Sequence, residues 1–383
     1  MLASQDANLH DNGVDVSSQH NIVSRQSVHN TYLHLKDRYA KIFRDVWIEK
    51  IEPVKHIYEH LAIAAFLIEL WRNMYGAVPA AESTKEKQID TQFPGFIDIA
   101  CGNGVVVYVL LMEGYSGCGY DARRRQTWSI FPVSVQERLM EKIYIPKPFA
   151  DSIVTDHMGV DIHTGDFPPG TFIISNHADE LTLWTPLMSA LACPASPLPF
   201  FAIPCCSHSL SGSSYRFPPP NKVPFERPGS KSRMQDDVIE QNPQPASGDL
   251  RALRAAKAKE KTADGMLSSM YGSLTAKTMH IAQEIGYEVE STQLQIPSTR
   301  NMAIVGGRQI VARQREVSRD ENSTPASVGP QPDKSAELVQ RINEIVKREC
   351  YKDGGIQHAA RTWIERARSL HEGMGLGNHT PMP

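Results

Sequence analysis

The segment FIDIACGNGVVVYVLLMEGYSGCGYD, residues 96–121, limits what this chain can fold into more than any other stretch. FIDIA (Phe96 to Ala100) is a short, mostly apolar run that stops in a glycine-rich turn. VVVYVLLMEGY follows with no polar face, the composition of a buried helix, and GCGYD then reads as a second short strand. Strand, glycine turn, helix and strand make the βαβ unit of a parallel sheet, because parallel neighbours need a crossover and a helix supplies it. Two further apolar runs, TFIISN (Thr171 to Asn176) and PFFAIPC (Pro199 to Cys205), flank ELTLWTPLMSALA, which would make the next crossover helix. The alternation predicts an α/β fold built on a doubly wound, mostly parallel sheet.

Other segments surround that sheet. Residues 1–27 are polar and are expected to form a disordered tail. Residues 28–92 read as a helical lead-in packed on the sheet domain. Tyr32, Leu35, Tyr39 and Phe43 recur at three- and four-residue steps, whereas Leu61 to Trp71 is apolar nearly all round. The first helix should therefore lie on a surface and the second be buried. The sheet domain is expected over 93–312, interrupted by a flexible insertion at 207–262 that carries Ser207-His208-Ser209, Pro218-Pro219-Pro220, Pro243 and Pro245. Beyond it Leu274, Thr278, Ile281 and Ile285 continue a helix that Gly286 caps, and YEVEST with NMAIVGG forms a late strand pair. A polar linker at 313–335, two closing helices within 336–372 and a tail at 373–383 complete the expectation.

Composition removes whole classes of function. Six cysteines with no C-x-x-C pair exclude a disulfide framework and argue against a cysteine-rich zinc module. A net charge of −3 gives no global basic footprint, so contact with nucleic acid must come from a local patch. The longest apolar run, LAIAAFLI, ends at Glu69, well short of the ~20 residues a membrane helix needs. The N-terminus has no apolar core of a secretory signal, and its acids argue against a mitochondrial presequence, so the expected compartment is the cytoplasm.

Four clusters carry chemistry. In the first, Asp98 lies in the strand, Gly102 and Gly104 flank Asn103 at its end, and Asp121 closes the next strand 17 residues after Gly104. A nucleotide-like ligand at such an edge needs glycine for close backbone approach and a carboxylate to accept both ribose hydroxyls. Val107 replaces the third glycine of the dinucleotide fingerprint, and with no pyrophosphate to hold that glycine is dispensable. This favours S-adenosylmethionine over a nicotinamide dinucleotide. The competing reading is an ordinary glycine turn.

The second is Gly165-Asp166 before TFIISN, an acid that could reach an adenine amino group or simply shape a turn. The third is Asn176-His177-Ala178-Asp179-Glu180 at the carboxyl end of a strand, where open α/β sheets hold substrates. Its acids also suit a helix N-terminus whatever the function. No second donor set at ligand spacing accompanies this cluster, and no metal is expected. The fourth is Arg123-Arg124-Arg125 directly after Asp121, which with Arg300, Arg308, Arg313 and Arg315 could form an RNA-binding rim or a solvated turn. Cys205-Cys206 follows an apolar strand and is expected to pack; Cys350 and His358 on the closing helices are expected to be structural.

These blocks together, FIDIACGNGVVVYVLLMEGYSGCGYDARRR and FIISNHADELTLWTP, resemble the eukaryotic tRNA (uracil-O(2′)-)-methyltransferases, which methylate the ribose of uridine 44 in tRNA. KDRYAKIFRDVWIEKIEPVKHIYEHLAIAAFLIELW (Lys36 to Trp71), FFAIPCCSHSLSG and QEIGYEVESTQLQIPSTRNMAIVGG (Gln283 to Gly307) agree, and the resemblance spans roughly residues 30–375. It implies a methyltransferase of the seven-stranded class that uses S-adenosylmethionine, with tRNA-Ser the usual substrate; separately, the sequence shows no sign of an obligate protein partner or of a membrane. It implies cofactor contacts at Asp98, Cys101, Gly102, Asn103, Gly104, Asp121, Asp166 and Asn176. His177, Asp179 and Glu180 would face the transferring methyl, and Arg123, Arg124, Arg125, Arg300 and Asn301 would meet RNA. Tyr120 stands where the family pattern has an aliphatic residue.

A ribose 2′-hydroxyl is a very weak acid, so a general base helps as its proton leaves. Asp179 or Glu180 is the expected base, since the Lys-Asp-Lys-Glu tetrad of other ribose methyltransferases is not evident. Two further readings stand beside this one: a methyltransferase acting on another RNA, a protein or a small molecule, and a non-catalytic RNA-binding module of the same fold.

Overall fold

Seven strands pair in one sheet: β1 (Phe96–Asp98), β2 (Gly117–Asp121), β3 (Leu139–Glu141), β6 (Phe172–Asn176), β7 (Phe200–Ile203), β8 (Val289–Gln293) and β9 (Met302–Gly306). The computed structural model describes residues 22–48, 53–82, 93–152, 161–218, 269–319 and 332–372. The strand order is β3-β2-β1-β6-β7-β9-β8. All neighbours are parallel except at β9, which runs antiparallel to both β7 and β8. The doubly wound, mostly parallel seven-stranded sheet expected from the sequence is therefore present, with YEVEST and NMAIVGG as its late pair. Two short strands, β4 (Ile143–Tyr144) and β5 (Ile162–His163), form a separate parallel pair.

The strands are apolar on both faces because helices cover both. Phe96, Phe172, Ile174, Phe201, Ile203, Ala303 and Val305 point into one core, with α1 (Arg25–Val46), α2 (Pro53–Tyr75) and α3 (Val105–Met112). Their strand neighbours Ile97, Ile173, Phe200, Ala202 and Ile304 point into the other. That second core is closed by α6 (Trp184–Ala192), α7 (Met270–Glu284), α9 (Pro332–Cys350) and α10 (Ile356–His371). The period of two along each strand sorts side chains to opposite layers, so continuous apolar runs are what a sheet buried on both faces requires. Two one-turn helices, α4 (Val133–Gln136) and α5 (Lys147–Ala150), and α8 (Arg308–Arg319) complete the set among the described residues.

The lead-in behaves as its patterns predict. On α1 only Leu35, Tyr39, Ala40 and Phe43 are buried, a single stripe, whereas α2 is buried almost throughout from Leu61 to Trp71. Trp71 anchors α2 to the sheet, with ring centres 5.5 Å from both Phe96 and Phe172 and 4.6 Å from Phe93. No helix among the described residues is long and apolar enough to cross a membrane.

Three expected boundaries shift. The first helix starts at Arg25, inside the expected tail, because Ser24 caps it by accepting the Ser27 N–H. Residues 207–218 belong to the packed body and not to a flexible insertion: Leu210 and Phe217 are buried, and Trp184 Nε1 donates to the Leu210 carbonyl at 2.9 Å. The expected linker at 313–335 is occupied by α8 as far as Arg319 and by α9 from Pro332. Residues 1–21 and 373–383 of the tails, 219–262 of the insertion and 320–331 of the linker lie outside the described residues.

The sheet leaves no room at Gly306, which pairs with Phe200 across β7 and β9. A Cβ there would stand 2.2 Å from the Phe200 ring. Gly306→Ala is expected to destabilise the chain by about 1–3 kcal/mol, read as a lower urea midpoint with an unchanged m-value.

Candidate active site

The winding of the sheet reverses between β1 and β6, and a cavity of about 730 Å³ opens there at the carboxyl ends of β1, β2, β6 and β7. Its first wall is the turn after β1. Gly102 and Gly104 have φ of +53° and +77°, a region in which side chains are strained. A Cβ at Gly104 would also press on Leu139, Phe131 and Trp128 at 3.0–3.2 Å, whereas one at Gly102 would meet nothing within 4 Å. Gly104 is thus fixed by packing behind the turn, and Gly102 leaves its backbone open on the cavity side.

Asn103 Oδ1 accepts the Val105 N–H at 3.1 Å and closes the first turn of α3. Asp121 ends β2 with Oδ2 accepting the Gly102 N–H at 2.8 Å and Oδ1 accepting the Arg123 N–H at 3.2 Å. Arg125 approaches the same carboxylate at 3.5 Å. Trp128 Nε1 donates to the Gly102 carbonyl at 2.9 Å, holding the turn from below.

The opposite wall is strained. His177 and Asp179 have φ of +52° and +43°, and neither is glycine. Such backbones cost about 1–3 kcal/mol each and persist where surrounding contacts over-determine them. Those contacts are present. The His177 N–H donates to the Ile203 carbonyl at 3.1 Å, and His177 Nε2 lies 3.1 Å from Glu59 Oε1 on α2. The Cys205 thiol donates to Asp179 Oδ1 at 2.8 Å. Glu180 is ion-paired with Arg366 of α10, whose guanidinium also lies 3.2 Å from His208 Nε2.

Burial raises the Glu59 carboxyl, but the hydrogen bond to His177 and the neighbouring imidazoles of His177 and His56 outweigh it and hold the group below its usual value. Glu59 is therefore a carboxylate at neutral pH. Burial, helped by the neighbouring His56 and His177 and opposed by the Glu59 carboxylate, pulls the adjacent His60 down to about 4 and keeps it neutral.

The expected site residues separate on this frame. Cys101, Gly102, Asn103, Asp121, Asn176, His177, Asp179, Glu180, Arg123, Arg125 and Arg300 all line the cavity. Asp98 does not. It is 1% exposed within β1, accepts from the Ala100 backbone and leaves Oδ1 without a partner. Gly104 backs the turn, and Arg124 lies over the Trp128 ring at 5.6 Å. Asn301 is used in the β8–β9 connection, where its Nδ2 and carbonyl both bond Leu294. Asp166 is exposed after β5, off the main sheet, and accepts from Thr164. The strand beside β2 is β3, which ends at Glu141, so Asp166 closes no strand of the main sheet. Tyr120 turns to the His163 ring, 4.8 Å away, and to Lys142.

Sequence reasoning missed two contributors. From α2 come Lys55, His56, Glu59 and His60; from α10 come Trp363 and Arg366. The available signal was a carboxylate and two histidines, H-I-Y-E-H, immediately before the most apolar run of the chain.

The unpartnered, buried Asn176 Oδ1 and Arg125 Nε, the open backbone at Gly102 and the carboxylate ending β2 fit a nucleoside-bearing ligand. A sheet of this order with a glycine turn after β1 and an acid ending β2 defines the α/β class of S-adenosylmethionine-dependent methyltransferases. A family model described as "Predicted AdoMet-dependent methyltransferase" matches residues 22–146. The chain is a homologue of the tRNA (uracil-O(2)-)-methyltransferases over most of its length, as the sequence resemblance implied. It is 53% identical to the protein of that name from Aspergillus oryzae, over 94% of this chain and 57% of the relative. It is 37% identical to that from Neurospora crassa, over 78% and 49%, and 33% identical to that from Saccharomyces cerevisiae, over 79% and 51%. The chain thus spans about half the length of the curated relatives it matches. No solved structure matches it.

Asp98 makes a pH dependence visible. Burial, reinforced by the charge of Asp121 and opposed by the Ala100 N–H, raises its carboxyl from 3.8 to about 8. Between those values the folded chain holds a proton that the unfolded chain has lost, so this contribution to stability is complete in acid and declines as pH rises towards 8. The Asp98→Asn variant is expected to lose that decline: its melting temperature, followed from pH 5 to pH 8, should fall less than that of the unaltered chain.

Proposed function

We propose that this chain transfers a methyl group from S-adenosylmethionine to the ribose 2′-oxygen of a uridine in tRNA. The observation that carries the reading is a single cavity with Asp121 and the open Gly102 turn on one wall and the Glu59–His177 pair on the other. In detail, the proposed substrate is uridine 44 of tRNA-Ser and the proposed compartment is the cytoplasm. Six free cysteines support a reducing environment. No obligate protein partner is proposed, and residues 93–312 are read as the catalytic domain with 28–92 and 336–372 packed on it.

Cys101, Gly102, Asn103, Asp121 and Asn176 would hold the cofactor. Asp121 is already oriented by two backbone N–H groups and keeps lone pairs for ribose hydroxyls. Bound there, S-adenosylmethionine would supply an electrophilic methyl group. The chain's remaining task is to orient the acceptor hydroxyl and take its proton.

His177 is the proposed proton acceptor. The Glu59 carboxylate at Nε2 favours the tautomer with the proton on Nε2, leaving Nδ1 as a basic lone pair, and it stabilises the imidazolium that forms. Asp179 and Glu180, the acids named from sequence, are engaged by the Cys205 thiol and by Arg366. Lys55, Arg123, Arg125, Lys142, Arg300 and Arg366 around the cavity would receive RNA phosphates.

The test is methyl transfer from labelled cofactor to tRNA-Ser transcripts bearing uridine or 2′-deoxyuridine at position 44. Label confined to the first substrate is expected; equal labelling of both would overturn ribose methylation at that site. His177→Ala should lower the single-turnover rate at least ~100-fold, with calorimetric affinity for S-adenosylmethionine unchanged. Asp121→Ala should instead weaken that affinity roughly 10- to 100-fold, as expected for losing hydrogen bonds to a charged group.

A further inference from the structure

One group on the cavity wall is left without a part in the reaction described above. Asp179, in the turn after β6, meets Cys205 and Cys206, which follow β7. The sequence places Asp179 26 residues before Cys205, too far to suggest a common site, but β6 and β7 are parallel neighbours whose carboxyl ends lie side by side. The carboxylate and the two sulfurs stand within 4.8 Å of one another. We propose that this group binds a thiophilic divalent cation such as Zn²⁺ through both thiolates and one Asp179 oxygen, with a fourth position facing the cavity.

Three observations carry the proposal. The first is reach. Zinc takes sulfur at about 2.3 Å and oxygen at about 2.1 Å in a tetrahedron, which sets neighbouring donor atoms roughly 3.5 Å apart. Cys205 Sγ and Asp179 Oδ1 are 2.8 Å apart, so a cation replacing the proton they share requires a movement of under about an ångström. The second is charge. Two thiolates and a carboxylate carry −3, the cation returns +2, and the remaining −1 faces the Arg300 guanidinium, whose Nη1 lies 3.4 Å from Cys206 Sγ. The third is placement. All three residues line the cavity, so a ligand or water can complete the coordination, the open position typical of reactive zinc sites. Two sulfur donors select against Mg²⁺ and Ca²⁺, which take oxygen. Binding would release the thiol protons to solvent.

The experiment is a Co²⁺ titration of the purified, reduced chain, which reads metal binding directly and does not depend on methyl transfer. One equivalent of Co²⁺ is expected, with a thiolate-to-cobalt charge-transfer band, d–d bands of tetrahedral intensity, and displacement by Zn²⁺. Cys206→Ser should weaken binding at least ~10-fold, and Asp179→Asn should weaken it while keeping the thiolate band. The double variant Cys205→Ser/Cys206→Ser should abolish the band, and Cys193→Ser should leave it unchanged. Absence of the band in the unaltered chain overturns the proposal, as does its survival in the double variant. Should the double variant fail to fold by circular dichroism, unchanged Co²⁺ affinity in Cys206→Ser, whose side chain is partly exposed, is the overturning result.

Discussion

The hydrogen bond from the Gly102 N–H to Asp121 is the constraint on which the site depends. It joins the turn after β1 to the end of β2 at 2.8 Å, and the Cys101 N–H to the Tyr120 carbonyl at 2.9 Å runs alongside it. A carboxylate held by backbone donors is fixed in position, and a turn so held keeps its N–H groups facing one crevice. The residues behind it exist to make that geometry the stable one. Trp128 supports the turn from below, and Gly104 yields to the side chains of Leu139, Phe131 and Trp128. Without the second strand's acid the glycine turn would be an ordinary connection.

Much of this was legible because strands buried on both faces read as uninterrupted apolar runs. Phe172–Asn176 and Phe200–Ile203 could be placed, and the cofactor edge located, from pattern alone. Asp166 could not be placed, because apolar periodicity says that a segment is extended but not which sheet receives it. Ile162–His163 pairs with Ile143–Tyr144 instead of joining the main sheet, and the acid that follows is carried off with it. Packed residues 207–218 were hidden for a different reason. Their serines and Pro218 suggest a loop, yet Ser209 bonds Asp353 and the Leu210 carbonyl receives Trp184, contacts to elements far away in the chain.

The helices outside the sheet show the same limit. Glu59 and His177 are 118 residues apart, and nothing local to either indicates the other. An all-round apolar helix such as α2 signals burial, and a carboxylate inside it signals only that a partner must exist, since a buried charge without one is expensive. Arg366 of α10 likewise meets Glu180 across 186 residues. A near-neutral chain thereby gathers cations from five separate segments around one opening, which composition could not reveal.

The left-handed backbones at His177 and Asp179 tie these threads together. Each is unfavourable alone, yet each side chain is held by an element outside β6: His177 by α2, Asp179 by the thiol following β7. The strain is sustained by contacts that converge only when lead-in helix and sheet are assembled. The loop after β6 should therefore take its geometry from the complete fold and not from its own sequence. An acid in this loop can look like a free base in the sequence, but the same contacts that hold the strained backbone occupy Asp179 and Glu180. His177 retains a ring nitrogen, because its partner takes only Nε2.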